Sequence, residues 1–347
     1  MQIKGKITTA ILASAIGLAV IIGVFSIFQS TTILESEIND KLRYLATSEA
    51  EKIETKLAEI ESKADYVSST ILKSVNSRKI QQNKEYLLDY KQTTIDNLIK
   101  RTAQMKGMKG AYFYFNPKLI NEAHDVWYAN PQGEPDKYQK QAETSIEKYS
   151  KNNENMSWYY QPIEKKEAVW SDPYESWSDD SIVVSYTKAI FKEGTLIGVV
   201  GMDFEFAEIK GPIEDIQVYN NGYGFLLNDN HDFLVHPKYK QEQNLAKVAS
   251  GALEFIADKI KGQRAGTTNY NLNNAGKEMG YAKLSNGWIL GVTVPQSELF
   301  AQRNKLIFLL VGICLVGSLI IIAISYILGK RFSQPLEAAV EHCEQMA

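Results

Sequence analysis

Cysteine is almost missing from this chain: among 347 residues only Cys314 and Cys343 carry a thiol, one inside an apolar run and one near the C-terminus. The long middle has none, so a disulfide framework or a cysteine-based metal site is excluded there. Histidine is scarce too. His124, His231, His236 and His342 form no ligand-spaced pair with a nearby acid on a recognisable helix, so no metal site and no cofactor are expected. Excess positive charge is also lacking. Lys and Arg number 38 against 41 Asp and Glu, a net charge of -3 at pH 7, which argues against a nucleic-acid partner. Nor is there a nucleophile elbow or a Ser-His-Asp arrangement, and the adjacent Asp179 and Asp180 read as a solvated turn rather than a catalytic dyad. The chain is not expected to be an enzyme.

Two stretches lack charge altogether. Residues 7–28 and 306–328 are apolar and about long enough to span a bilayer as helices. Lys4 and Lys6 precede the first, and Lys330 and Arg331 follow the second. The positive-inside bias then puts residues 1–6 and 329–347 in the cytoplasm and residues 29–305 outside the inner membrane, in the periplasm. A cleaved signal peptide is the rival for the first run. The run is too long for a signal core, and no small-x-small site closes it.

Glycine and proline are absent from residues 34–75, where Ile38, Leu42, Leu45, Ile53, Leu57, Ile60, Ala64, Val67 and Ile71 recur at mostly helical steps. This predicts one amphipathic helix of roughly 60 Å. A second helix is expected over 84–104. From residue 107 the period changes to that of strands: 111–117, then 181–191 and 195–206 around a turn at Glu193 and Gly194. Residues 138–151 read as a helix or loop at a pocket rim. Gly211 and Pro212 read as a break between two modules. Beyond them, 222–237 reads as a hairpin, 253–261 as a helix, and 267–272, 278–283 and 288–294 as strands. A helix from Ser297 leads into the second apolar run.

The span 155–203 is the most informative. It holds Trp158, Tyr159, Tyr160, Trp170, Tyr174 and Trp177, interleaved with Asp172, Glu175, Asp179 and Asp180, and closes on Asp203. Ring faces and a carboxylate together suit an organic cation. Any single ring in a β-rich segment is more often core than pocket. A buried core strand, however, does not carry that much charge.

The order of parts resembles a bacterial transmembrane chemoreceptor, a methyl-accepting chemotaxis protein with a double Cache (dCache) sensor. The resemblance covers essentially the whole chain. The sequence GYGFLLNDNHDFLVHP at 222–237 is similar to the membrane-proximal module of that family, and the tail with Pro335 is similar to the first helix of a HAMP domain. The resemblance implies an α+β fold, in which a long N-terminal helix carries two PAS-like α/β modules and two transmembrane helices flank them. The modules would be distal at about 105–210 and proximal at about 211–295. It also implies a homodimer, cytoplasmic chemotaxis partners, and a chain that continues past residue 347. Amino-acid-binding members carry an arginine two residues before a Trp-Tyr pair, a later tyrosine and a closing aspartate. Trp158, Tyr159, Tyr174 and Asp203 match these, whereas the arginine position holds Met156. Met156 cannot clamp a carboxylate as a guanidinium does, which points to a small amine as ligand. The alternative is an amino acid or other nitrogenous metabolite whose carboxylate rests on Lys137, Lys165 or a backbone N–H. The same front end also precedes histidine kinases and cyclic-nucleotide enzymes. The candidate ligand-binding set is Trp158, Tyr159, Tyr174, Asp203, Met156, Trp177, Asp172 and Tyr128.

Overall fold

The computed structural model describes residues 3–344, apart from 106, 107, 133, 135, 136, 152, 154, 155, 177, 180, 242 and 273. The fold is α+β. Helix α1 (Ile3–Ser74) is its spine. One stripe of α1 is buried: Ile38, Leu42, Ala46, Ala50, Ile53, Leu57, Ile60, Ala64, Val67 and Ile71. The stripe runs through Ala46 and Ala50, while Leu45 is only partly buried beside it. The small alanines let the helix backbone approach a sheet. The approach is closest at Gly280, where a Cβ would lie 2.3 Å from the Leu42 carbonyl oxygen, so the contact needs glycine.

After α1 come α2 (Ser77–Gln82) and α3 (Lys84–Tyr90), each opened by an asparagine cap. Asn76 accepts from the Lys79 N–H at 2.9 Å and Asn83 from the Tyr86 N–H at 3.0 Å. A π turn (Lys91–Ile95) joins α3 to α4 (Asp96–Ala103), so the helix expected over 84–104 is present with one wide turn in it.

The first sheet contains β1 (Met108–Phe115), β2 (Asp125–Ala129) and β3 (Gln139–Lys140). Helix α5 (Ser157–Lys165) intervenes, and β4 (Val169–Trp170), β5 (Tyr174–Glu175), β6 (Ile182–Lys192) and β7 (Thr195–Glu205) complete it. The strands lie in the order β3-β2-β1-β7-β6-β4, with β5 also on β6, and every pair is antiparallel. Glu193 and Gly194 both take positive φ in the β6–β7 turn, as a tight hairpin requires.

Gly211 and Pro212, read in the sequence as a break between modules, do fall between the strands of the two sheets, but they do not interrupt secondary structure. They lie inside α6 (Ala207–Glu214). Proline offers no N–H to the carbonyl four residues before it, here that of Glu208. The Lys56 ammonium on α1 donates to that carbonyl at 2.9 Å and replaces the missing bond.

The second sheet contains β8 (Gln217–Val218), β9 (Gly222–Leu227) and β10 (Phe233–Val235). After α7 (Glu254–Lys261) come β11 (Ala265–Leu272), β12 (Ala275–Lys283) and β13 (Ile289–Pro295). The order is β10-β9-β13-β12-β11, with β8 on β9. The first long strand therefore lies beside the last. Helix α8 (Gln296–Glu344) leaves the sheet directly from β13 and runs on through Pro335.

Helix α1 packs on one face of both sheets: Phe113, Val200 and Met202 of the first and Leu290, Val292 and Val294 of the second share its core. Helices α1 and α8 also pack on each other. Arg303 bonds Glu35 at 3.3 Å, and Gly23 makes room for the Cys314 sulfur. Both helices are long and apolar enough to cross a membrane.

Candidate ligand site

The face of the first sheet turned away from α1 is polar at its centre. Asp203 on β7 pairs with Gly110 on β1 and with Ser185 on β6. Its carboxylate, only 7% exposed, accepts from the Ser185 hydroxyl at 2.5 Å. Ser185 has a single hydroxyl proton and gives it to Asp203, so the 2.6 Å contact between Tyr174 and Ser185 is Tyr174 donating. The Tyr174 hydroxyl also lies 3.4 Å from Asp203 Oδ1. Asp203 is thus held by neutral donors, and burial pushes its carboxyl up to about 6. Burial and the Asp203 charge likewise push the phenols of Tyr112 and Tyr174 well above their ordinary value. The Tyr112 ring lies flat across β7 at Gly201, where a Cβ would come within 2.1 Å of it. Its buried hydroxyl closes no hydrogen bond of ordinary length among the described residues.

Helix α5 covers this face. Trp158 meets the Tyr112 and Tyr114 rings edge-on, each at 4.9 Å between centroids. Tyr159 packs against Tyr149 at 5.3 Å and against Tyr160 at 5.1 Å. Met156 precedes the helix, wholly buried in the same cluster. Its thioether fits between aromatic rings without a polar partner, so the position at which the resemblance puts an arginine is a packing position here.

Beside the cluster opens a cleft of about 900 Å3, lined by Trp158, Gln161 and Lys165 of α5, by residues 169–176, and by Thr187 of β6. Asp229 and Asn230 from the turn between β9 and β10 form part of its wall. Carboxylates dominate its charge: Asp172, Glu175 and Asp229 against Lys165.

Three of the eight residues in the candidate ligand-binding set, Trp158, Asp172 and Tyr174, line this cleft. Asp203 sits one layer beneath it, behind the Tyr174 and Ser185 hydroxyls, and Met156 and Tyr159 back the wall from the aromatic cluster. Tyr128 is not brought to the site. It pairs with Ala111, faces α4, and donates to Asp96 at 3.1 Å, because its neighbours on β1 alternate faces. Trp177 lies outside the described residues. Ser185, Tyr112 and the Asp229–Asn230 turn belong to the arrangement and were missed. Ser185 and Tyr112 sit in plain alternating strands, and Asp229 is far away in sequence, so no local pattern marks them.

The segment along the cleft floor is tied to the second sheet. The Asn228 amide donates to Asp172 at 2.9 Å, and the Gln241 amide donates to the Pro173 carbonyl at 2.8 Å.

Residues 30–303 match the family dCache_1, described as a Cache domain. The chain belongs to this family. As a Cache sensor it is similar to methyl-accepting chemotaxis protein McpC of Bacillus subtilis (strain 168), 26% identical over 185 residues. That match covers 53% of this chain and 27% of McpC, so the chain spans about a quarter of the curated relative. Among solved structures, the extracellular domain of the putative histidine kinase mmHK1S-Z2 superposes with a TM-score of 0.59 at 17% identity, over 75% of this chain and 98% of that one. The ligand-binding domain of the Campylobacter jejuni chemoreceptor Tlp3, in complex with L-norvaline, gives 0.55 at 15% identity, over 78% and 96%. At such identities the likeness is one of fold.

Proposed function

We propose that this chain is the ligand-sensing, membrane-spanning part of a chemoreceptor, with α1 and α8 crossing the inner membrane and the two sheets forming distal and proximal periplasmic modules. The distal module takes a small organic amine, and α8 carries the signal towards a HAMP domain. One observation supports the ligand class above the rest: a buried carboxylate, Asp203, is held, among the described residues, only by hydroxyls beneath an aromatic, carboxylate-rich cleft. Such a carboxylate gains most from a cation able to donate several N–H bonds. In this reading Tyr174 swings aside, the ligand ammonium takes its place on Asp203, and the rings of Trp158 and Tyr112 face the charge.

A second reading has one observation in its favour. Lys165 lines the cleft and offers a carboxylate partner, and the Tlp3 domain is solved with the amino acid L-norvaline. The two readings share the ammonium and differ in the carboxylate, so 1-butylamine and L-norvaline, which differ by that one group, separate them. Calorimetry on the full chain in detergent micelles should show the amine binding more tightly. Met156→Arg, in contrast, should weaken the amine by like-charge repulsion and favour norvaline. Tight norvaline binding with no heat from butylamine in the wild type would overturn the amine reading.

A further inference from the structure

The second sheet repeats the arrangement of the first with the charge reversed. Its face away from α1 carries Phe225, Leu227, Met279 and Tyr281, and in line with Met279 and Tyr281 on β12 comes Lys277. Lys277 is 9% exposed. Its ammonium donates to the Tyr223 hydroxyl at 2.9 Å and lies 4.5 Å from the centre of that ring. Among the described residues no carboxylate stands within 4.0 Å of it. An ammonium has three donors, and one neutral hydroxyl satisfies only one. Burial accordingly holds its pKa below the ordinary value.

A second donor is present at the same ring. His236 meets Tyr223 edge-on at 5.3 Å and lies tilted against Tyr239 at 4.7 Å. Its Nδ1 accepts the backbone N–H groups of Lys238 and Tyr239, each at 2.9 Å. Burial and the Lys277 charge push its pKa down to about 4, so at neutral pH the ring is uncharged and its one proton sits on Nε2. The Lys277 ammonium and the His236 imidazole therefore both meet the Tyr223 ring, on the face that, in the first sheet, holds a buried acid.

We propose that the second sheet carries an anion site, in which Lys277 and His236 hold a small free carboxylate or inorganic phosphate against the Tyr223 and Tyr239 rings. The charge of an oxyanion would offset the desolvated ammonium, and its oxygens would accept from the donors that Tyr223 does not satisfy. This site is separate from the amine cleft and does not depend on it.

The test is thermal unfolding of the full chain in lipid-free detergent micelles. Sodium acetate and sodium phosphate are titrated against sodium chloride at matched ionic strength. At least one of the two anions should raise the midpoint saturably by about 2 °C or more. Lys277→Met should abolish that rise and Lys277→Arg should keep it, while Asp203→Asn leaves it unchanged. If the Met variant does not fold, wild-type calorimetry decides: competition between acetate and phosphate for one site supports the proposal, and no heat from either overturns it. An equal rise in wild type and Lys277→Met would be a general salt effect and would sink the idea. So would a response that appears only in phosphatidylglycerol nanodiscs, which would assign the ammonium to a lipid headgroup.

Discussion

Asp203 has no cation within reach among the described residues, and the rest of its behaviour follows from that. Its folded pKa of about 6 lies above the unfolded value of 3.8. Between the two, the folded chain keeps a proton that the unfolded chain has released, so stability should fall as pH rises from about 4 to about 6. Amine affinity should run the opposite way, because the ligand needs the ionised carboxylate: weak below pH 6, rising through it and level above. Asp125, also buried and also raised to about 6, adds to the stability slope but lies away from the cleft. Asp203→Asn should thus remove only part of the stability slope. It should abolish the affinity slope and lower amine affinity by at least about two decades. Scanning and titration calorimetry across pH 4–8 measure both. An affinity slope that survives in Asp203→Asn would assign the titration to another group.

Short elements carry the contacts of the proposed site. Strand β5 is two residues long, and its Tyr174 holds Asp203 on one side and lines the cleft on the other. The adjoining residues Asp172 and Pro173 are bonded to the second sheet through Asn228 and Gln241. On the proposed reading, an amine that displaces Tyr174 should therefore pull on the β9–β10 hairpin. Hydrogen exchange should show changed protection at residues 228–235 when amine is added. Gln241→Ala removes one tether at an exposed side chain and should shrink that change while leaving amine affinity intact. Protection confined to the first sheet in the wild type would count against the coupling. Neither tether was legible in the sequence, since each joins positions more than fifty residues apart. The strands β6 and β7 were legible, because their alternation and their turn are local.

On the scale of the whole chain, α1 is in contact with both sheets and with α8. A ligand biases signalling only if it binds two arrangements of these helices unequally. Gly23 of α1 faces the Cys314 sulfur of α8, so Gly23→Cys introduces a thiol beside a native one. Its oxidative crosslinking rate in membranes should change on adding saturating amine. A rate that stays constant here, and at every further pair scanned along the two helices, would exclude relative motion as the signal.

The amino-acid sequence by itself determined the charge-free spans, the amphipathic spine, most of the long strands and the family resemblance. The first three rest on periodicity or composition within a few turns of chain, and the resemblance rests on the order of those parts. Even there a local rule failed at Gly211 and Pro212, because a lysine from α1 supplied the bond that proline withholds. Only the tertiary structure decided which rings form a pocket. It put Tyr128 on the far face, Met156 among packed rings, and Asp203 behind Ser185 and Tyr174. It also brought Asp229 to the cleft wall and left Lys277 without a counter-charge among the described residues. Burial and the sheet face a side chain takes depend on which distant strands pair and which helix covers them, and no local pattern carries that information.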